Sequence, residues 1–156
     1  MIVPSRSAGL FLWSWRDDPA VPAFPDEHPL IVFDGECILC SANAQFVLKH
    51  DRRRRFRLTT AQGELGQALY RHFGLATDDY ETMLVLAGGK LLTESEAALA
   101  IAEGLGWPWR AAVAAQVVPQ RLRDVLYRLI ARNRFRLFGR RATCWAAAPS
   151  DRDRIL

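Results

Sequence analysis

The hydrophobic pattern of this 156-residue chain alternates between strand-like and helix-like periods from residue 30 onward. An apolar, β-branched run at residues 30–33 ends at a turn, and the apolar positions that follow residue 37 recur with helical spacing. The same alternation continues to about residue 104. It predicts strand, helix, strand, helix, strand, strand and helix, over residues 30–33, 37–48, 56–59, 62–73, 82–87, 90–92 and 93–104.

The connections between these elements determine the fold that we predict. A helix joins the first two strands, and such a crossover makes them a parallel pair with a right-handed connection. Gly88 and Gly89 separate the last two strands and predict a tight hairpin. Thr93 and Glu96 predict a capping box at the start of the helix that follows. The predicted fold is therefore α/β and thioredoxin-like, with a small mixed sheet flanked by helices.

Two helical segments follow Pro108 and form a predicted C-terminal extension over about residues 108–140. The first is expected at residues 109–118, and the second begins at Pro119 and carries one apolar stripe. We expect this stripe to pack against the domain rather than against a membrane or a partner. Its residues are Leu122, Val125, Leu126, Leu129 and Ile130.

The pattern divides the chain into three segments. Residues 1–28 are an irregular leader, because their prolines interrupt helices and strand ladders alike. Residues 29–149 form the thioredoxin-like domain with its C-terminal helices, and residues 150–156 are a polar tail. The aromatic side chains of the leader that we expect to dock on the domain are Trp13, Trp15 and Phe24.

The net charge of +4 comes from two arginine clusters. One is residues 52–55, and the other lies between residues 121 and 141, where Asp124 is the only acidic residue. We expect both to be solvated surfaces, with nucleic acid, anionic lipid or an acidic partner as alternatives. Residues 9–13 are too short for a signal-peptide core, and no apolar run reaches the ~18 residues of a membrane span. We therefore expect a cytoplasmic protein without a transmembrane segment.

The candidate chemistry lies at Cys37 and Cys40, at the junction of the first strand and helix. Three cysteines are too few for a secreted disulfide scaffold and indicate a reducing compartment. On a first helical turn the two sulfurs face the same side and are close enough to bond. The helix start stabilises a thiolate at Cys37, which we predict to be the nucleophile. Cys40, one turn further in, is expected to be less exposed and to act as the resolving thiol.

The neighbours of the two cysteines leave alternatives open. Glu36 is expected to oppose the ionisation of Cys37. Asp34 is either a proton acceptor for Cys40 or a turn residue that binds local N–H groups. The pair itself is alternatively a zinc half-site, which needs further ligands, or two inert core cysteines. The histidines, which show no ligand spacing, are His28, His50 and His72.

Cys144 and the start of the predicted helix at residues 93–104 are further candidates for functional residues. We expect Cys144 to be a buried structural residue; it is a third redox thiol if the C-terminal segment folds back toward Cys37. Thr93 and Ser95 open a helix whose hydroxyls and free N–H groups either cap it or bind a substrate carboxylate, such as that of a peptide or glutathione. Both residues are therefore candidates for substrate binding.

Together these residues resemble the DCC family of predicted thiol–disulfide oxidoreductases, named for the Asp-x-x-Cys-x-x-Cys motif that is Asp34, Cys37 and Cys40 here. The resemblance covers about residues 30–149 and implies a thioredoxin-like fold and protein-disulfide reductase activity. The other segments that carry it are residues 56–58, 93–99, 131–134 and 137–139, with Cys144. Thioredoxin-like enzymes usually carry a cis-proline before the third strand. Here residues 80–82 contain no proline, so substrate binding cannot be copied from thioredoxin.

The sequence thus predicts thiol–disulfide exchange on a protein or small-molecule substrate. Cys37 and Cys40 are the catalytic pair and Asp34 is their candidate acid/base. No metal or cofactor is required, because the cysteines carry the redox equivalents themselves. The alternative is a non-catalytic binding module, in which the arginine-rich C-terminal helix docks on nucleic acid or an acidic protein, although we expect no specific nucleic-acid partner.

Overall fold

The computed structural model describes residues 14–156, which form one four-stranded sheet with helices on both faces. The strands are β1 (Leu30–Phe33), β2 (Arg57–Thr60), β3 (Leu84–Ala87) and β4 (Lys90–Thr93). The α-helices are α1 (Ile38–His50), α2 (Glu64–His72), α3 (Glu94–Leu105) and α4 (Gln120–Phe138). Short 3₁₀ helices lie at Trp15–Asp17, Trp109–Val117 and Pro149–Arg154.

The strand order in the sheet is β2-β1-β3-β4, and both predicted connections are present. β1 runs parallel to β2, with Leu30 opposite Arg57, and α1 forms the crossover between them. β3 pairs antiparallel with β1 and with β4. The hairpin turn at Gly88 and Gly89 places both residues at positive φ, which glycine adopts without steric cost. The thioredoxin-like α/β prediction is therefore confirmed.

β1 is apolar throughout because both faces of the sheet are covered. Leu30 and Val32 pack into one core cluster, which contains buried side chains of α2. Ile31 and Phe33 pack into the other, which contains buried side chains of α1 and α3. The strand thus sits at the centre of the domain, and the turn that follows Phe33 lies at the edge of the second cluster.

The described part of the leader docks on the first core cluster. Trp15 is buried and its ring meets that of Phe73 edge-on at 6.2 Å, while Phe24 is partly buried against the same cluster. Asp18 accepts a 2.6 Å hydrogen bond from His72 at the end of α2. The docking prediction is confirmed for Trp15 and Phe24, whereas Trp13 lies outside the described residues.

The polar tail is also packed on the domain. The guanidinium of Arg154 is buried and pairs with the carboxylate of Asp51 at the end of α1. The backbone N–H of Leu156 donates a 2.9 Å hydrogen bond to the carbonyl of Leu58 in β2. The C-terminal residues therefore extend the outer edge of the sheet.

The C-terminal extension differs from the prediction in two ways. The first segment, Trp109–Val117, is a 3₁₀ helix rather than an α-helix. The predicted stripe on α4 faces solvent, which contradicts packing of the stripe against the domain. Polar residues decide the orientation, because Asp124 and Arg134 are the buried side chains of this helix, with Ala131. Within residues 14–156, no helix has both the length and the apolar character that a membrane span requires.

Candidate active site

Cys37 is the N-cap residue of α1. The chain leaves β1 at Phe33 and turns, with the N–H of Cys37 donating to the carbonyl of Asp34 at 3.3 Å. Cys37 keeps an extended backbone conformation, and its sulfur accepts the N–H of Cys40 at 3.2 Å. An N-cap acceptor satisfies one of the free N–H groups of a helix, a role that usually belongs to a hydroxyl or carboxylate oxygen. The predicted position of Cys37 at the helix start is confirmed.

The two sulfurs lie 2.7 Å apart, with the Cys40 thiol donating to the sulfur of Cys37. That hydrogen bond lowers the pKa of Cys37 to about 7, although burial opposes it; the N–H of Cys40 adds to the lowering. The same hydrogen bond raises the pKa of Cys40, and burial of the thiol raises it further. The pKa values of the two thiols are therefore shifted in opposite directions, and Cys37 is the more acidic of the pair.

Charged neighbours modify the pKa of Cys37 beyond these hydrogen bonds. The carboxylate of Asp34 raises it and the guanidinium of Arg134 lowers it. Glu36, which the sequence analysis expected to oppose the thiolate, instead contacts Arg140 at 3.5 Å. Asp34 is therefore the carboxylate that opposes ionisation most strongly.

The relative exposure of the two cysteines is the reverse of the prediction. Cys37 is fully buried, whereas Cys40 is half-buried. The cause is the segment of residues 139–145, here called the C-terminal strap, which lies along the start of α1. Cys37 and Arg140 form an antiparallel bridge, and the N–H of Arg141 donates to the carbonyl of Glu36 at 2.7 Å. Sequence periodicity carries no information about such a long-range pairing.

Cys144 lies on this strap beside Gly35. A Cβ atom at Gly35 would stand 2.6 Å from the Cys144 sulfur and 2.9 Å from Cγ2 of Thr60, so any larger residue there requires these side chains to move. The Cys144 residue is exposed, which contradicts the expectation that it is buried. The C-terminal segment does fold back onto residues 35–38. A redox role of Cys144 stays a prediction.

Asp34 is buried, and both of its carboxylate oxygens have partners. One carboxylate oxygen accepts the N–H of Glu36 at 2.9 Å and the side-chain amide of Gln62 at 2.6 Å. The other lies 3.5 Å from the guanidinium of Arg134. The turn role that the sequence offered for Asp34 is therefore present. Its acid/base role stays a prediction.

Arg134 is the site residue that sequence reasoning missed. It is only 4% exposed, and its guanidinium contacts Asp34 at 3.5 Å and Asp79 at 3.2 Å. It also donates to the carbonyl of Ala131 at 2.7 Å and stacks on the ring of Phe135. The spacing of Tyr127, Ala131 and Arg134 puts them on one face of α4. That spacing could have indicated that this face of α4 packs on the domain, but the more apolar stripe on the opposite face outweighed it in the prediction.

A pocket of about 230 Å³ opens beside the dithiol. Cys40 lines it, whereas Cys37 does not. The wall is mostly apolar, with Asp34 and Arg134 as the charged groups nearest the cysteines. Its other lining residues are Phe33, Leu39, Asn43, Tyr80, Glu81, Met83, Ala98, Tyr127, Ile130 and Ala131. Half-buried Cys40 is thus the sulfur that a molecule in this pocket would meet first.

Helix α4 also acts on the backbone just before β3, where thioredoxin-like enzymes usually carry their cis-proline. Here Met83 lines the pocket, and its N–H donates to the Tyr127 hydroxyl at 3.2 Å. The backbone group that borders the pocket is therefore already paired within the chain.

Thr93 and Ser95 are not among the residues that line this pocket. Thr93 is the N-cap of α3, as predicted, but its side chain makes no capping hydrogen bond, so the predicted capping box is wrong. Both the hydroxyl and the N–H of Ser95 donate to the Asp124 carboxylate, at 2.5 and 3.3 Å. A carboxylate of the chain itself thus occupies the position proposed for a substrate. Substrate binding by Thr93 and Ser95 stays a prediction.

Among residues 14–156, no three or more His, Cys, Asp or Glu side chains are grouped so as to hold a metal ion.

Comparison with known proteins gives the family. Residues 31–140 match the model of the DCC1-like thiol-disulfide oxidoreductases. The chain is 36% identical over 127 residues to the uncharacterized protein YuxK of Bacillus subtilis, an alignment that covers 81% of this chain and 93% of YuxK. It is also 36% identical over 120 residues to a chloroplastic DCC family protein of Arabidopsis thaliana, covering 76% of this chain and 70% of that protein. No solved structure matches the chain significantly. With its Cys37–Cys40 dithiol at the start of α1, the chain belongs to the DCC1-like thiol-disulfide oxidoreductase family.

Proposed function

We propose that this protein catalyses thiol–disulfide exchange as a protein-disulfide reductase, with Cys37 as nucleophile and Cys40 as resolving thiol. The observation that carries the proposal is the hydrogen-bonded pair at the start of α1, which lowers the pKa of Cys37 to about 7 mainly through the Cys40 thiol. A thiol with this pKa is about half ionised at neutral pH, where its nucleophilicity is still high.

The proposed cycle has two exchange steps. The Cys37 thiolate attacks one sulfur of a substrate disulfide, forms a mixed disulfide and releases the other substrate sulfur as a thiolate. Cys40 then loses its proton and attacks the Cys37 sulfur. This step releases the second substrate thiolate and leaves a Cys37–Cys40 disulfide. The substrate gains two electrons, and an external dithiol must return them to the protein.

The second step needs a proton acceptor, because burial raises the pKa of the Cys40 thiol. We assign this role to Asp34, which lines the same pocket as Cys40. The guanidinium of Arg134 lies 3.5 Å from its carboxylate and holds it in place. Arg134 therefore acts as a positioning residue in the proposal, and its charge also favours the Cys37 thiolate.

Access to Cys37 requires a movement in the proposed cycle. The sulfur is buried, and the strap pairs with the backbone on either side of it through Gly139 and Arg141. A protein disulfide therefore reaches Cys37 only after the strap opens, whereas Cys40 already faces the pocket. The proposed setting is a reducing compartment such as the cytoplasm, in which an intramolecular disulfide is transient.

The test is the redox equilibrium of the pair against glutathione buffers, read by thiol alkylation and mass spectrometry. We expect a reversible Cys37–Cys40 disulfide with a potential between roughly −120 and −270 mV, the range of thioredoxin-like catalysts. Cys144→Ser is the matched variant, and an unchanged equilibrium in it assigns the exchange to Cys37 and Cys40 alone. Two thiols that stay reduced and unreactive throughout that range would sink the proposal.

A second candidate, a non-catalytic binding module, is favoured by the outward apolar and arginine-rich face of α4. In that case Cys37→Ser complements a deletion strain of this protein as well as the wild type does. Failure of Cys37→Ser to complement such a strain supports the enzyme.

A further inference from the structure

The outward face of α4 carries a stripe of large exposed apolar side chains. Four of its central side chains, Leu122, Val125, Leu126 and Leu129, are between 56% and 61% exposed. Ile130, Leu137 and Phe138 are also exposed large hydrophobic residues. These positions recur at helical spacing over roughly 28 Å of helix. Scattered single hydrophobic residues are ordinary on a protein surface, but a contiguous apolar stripe marks an interaction surface.

The helix cannot turn this stripe inward, because its opposite face is held by polar contacts. Asp124 accepts hydrogen bonds from Ser95, and the Tyr127 hydroxyl accepts the N–H of Met83. Arg134 is buried between Asp34 and Asp79. Rotation of α4 about its axis would bury the stripe only by breaking all of these contacts. The outward position of the stripe is therefore fixed by the fold.

The charge around the stripe is strongly positive. Residues 107–141 contain nine arginines, of which Arg134 is buried, and a single acidic residue, the buried Asp124. Arg128 contacts Glu94 at 3.4 Å and Arg132 lies 3.9 Å from Glu81, and such partly exposed pairs are weak and screened by salt. Arg121 and Arg136 project from the exposed surface of the helix beside the stripe. The surface thus combines an apolar centre with a cationic flank.

We propose that this face of α4 binds the surface of an anionic lipid bilayer. The leucines and valine insert at the boundary between headgroups and acyl chains, while the arginines remain among the anionic headgroups. The apolar stripe penetrates no deeper than this boundary, because the helix lies parallel to the membrane surface with its other side attached to the domain. The positive charge of the arginines beside the stripe is complementary to the negative charge of the lipid headgroups, and this complementarity favours an anionic bilayer as the binding partner.

Two other occupants fit the same face less well. A second copy of the chain would set two arginine flanks against each other, and α4 has no exposed carboxylate with which to pair them. Nucleic acid would meet six large aliphatic side chains at the centre of the face, where phosphates need cations and bases need aromatic partners. An anionic bilayer satisfies both the apolar centre and the cationic flank.

The stripe is also continuous with the dithiol pocket. Ile130 belongs to the exposed face of α4 and lines the pocket beside Cys40. Docking on a bilayer would therefore place the pocket next to the lipid surface.

The test is flotation of the full chain with lipid vesicles of two compositions. We expect it to float with vesicles of phosphatidylcholine and phosphatidylglycerol at a ratio of 7:3 and to stay behind with pure phosphatidylcholine. Leu126→Gln/Leu129→Gln changes only exposed side chains and keeps helix propensity, and we expect it to lower the partition coefficient by about tenfold or more.

The charge arm uses Arg121→Gln/Arg136→Gln, for which we also expect a fall of about tenfold at 0.1 M salt. Arg52→Gln/Arg53→Gln is the matched control, because it removes the same charge from the exposed cluster at residues 52–55, and it should partition as the wild type does. The glutathione equilibrium of the cysteines should be the same in all of these variants, so the outcome is independent of the proposed redox activity.

Four results overturn the proposal. Wild-type protein that floats with neither composition has no bilayer affinity, and a leucine variant that floats like wild type is held by charge alone. A dimer in light scattering that Leu126→Gln/Leu129→Gln converts to monomer assigns the face to a second copy. Tighter binding to a DNA duplex than to vesicles, lost in Arg121→Gln/Arg136→Gln, assigns it to nucleic acid.

Discussion

Helices α1 and α3 both begin with backbone N–H groups that have no partner within the helix, and the chain supplies a different acceptor to each. At α1 the acceptor is the sulfur of Cys37, which belongs to the helix itself. At α3 it is the carboxylate of Asp124, which reaches across from α4 to Ser95. Both helix starts were candidates for chemistry on the same physical grounds, the free N–H groups and the helix dipole.

The difference shows that the group which accepts the free N–H groups at the start of a helix determines what that helix start does in the protein. A carboxylate from another helix turns the start of α3 into a joint that fixes α4 against the domain. A thiol makes the start of α1 the proposed reactive group, because its charge depends on pH and on its redox state. Substitutions at the two helix starts should therefore have different effects. Those at the start of α1 should reduce activity, and those at the start of α3 should reduce stability.

Removal of the thiol at α1 gives the largest expected effect. We expect Cys37→Ser to lower the rate of insulin disulfide reduction by roughly 10³-fold or more, because a hydroxyl is not ionised at neutral pH and cannot form the mixed disulfide. Its stability in urea should change little. Cys144→Ser is the control with the same chemical change on the strap, and it should retain the wild-type rate. Equal losses in both variants would contradict the comparison.

Removal of the acceptor at α3 should have the opposite profile. Asp124→Ala leaves the buried hydroxyl and N–H of Ser95 without their acceptor, and we expect it to lower the free energy of unfolding by about 2 kcal/mol. Urea unfolding followed by far-UV circular dichroism measures this. Asp78→Ala, at an exposed carboxylate, should be nearly neutral. A glutathione equilibrium that shifts in Asp124→Ala as much as the stability does would show that the two helix starts are coupled.

The same comparison explains how much the sequence revealed. The sheet and the position of Cys37 followed from local patterns, since a β-branched run, a turn and helical spacing are determined within a few residues. The orientation of α4 did not, because its apolar stripe outweighed Asp124 and Arg134, whose partners lie far away in the sequence. The burial of Cys37 depends on the strap, a pairing across about a hundred residues that leaves no periodic signal.

The strap provides a way to sharpen the comparison, because it covers the start of α1. Gly35→Ala places a Cβ atom 2.6 Å from the Cys144 sulfur and 2.9 Å from Thr60, so the Cys144 side chain or the strap that carries it must shift. We expect a loss of about 1–2 kcal/mol in the free energy of unfolding and faster alkylation of Cys37 by iodoacetamide.

The double variant Gly35→Ala/Cys144→Ala separates the two contacts. It removes the sulfur but keeps the contact with Thr60, so we expect it to recover part of the lost stability. Unchanged alkylation of Cys37 in Gly35→Ala would mean that the strap does not limit access to the thiol.

The smallest expected effect tests the carboxylate next to the reactive helix start. Hydrogen bonding from the Cys40 thiol is the main cause that lowers the pKa of Cys37, and the charge of Asp34 opposes it. Asp34→Asn removes that charge while its side-chain oxygen still accepts hydrogen bonds. The pKa of Cys37 should then fall further below about 7, and alkylation of Cys37 at pH 6 should become a few-fold faster.

Turnover distinguishes this electrostatic effect from the proposed acid/base role of Asp34. If Asp34 accepts the proton of Cys40, resolution of the mixed disulfide slows in Asp34→Asn even though the first attack is faster. The mixed disulfide then accumulates, and mass spectrometry of the acid-quenched reaction detects it. Glu36→Gln is the matched control, because that carboxylate contacts Arg140 rather than the buried side chains around Cys40. Faster turnover at pH 6 without accumulation would leave Asp34 as a turn residue whose charge only restrains the nucleophile.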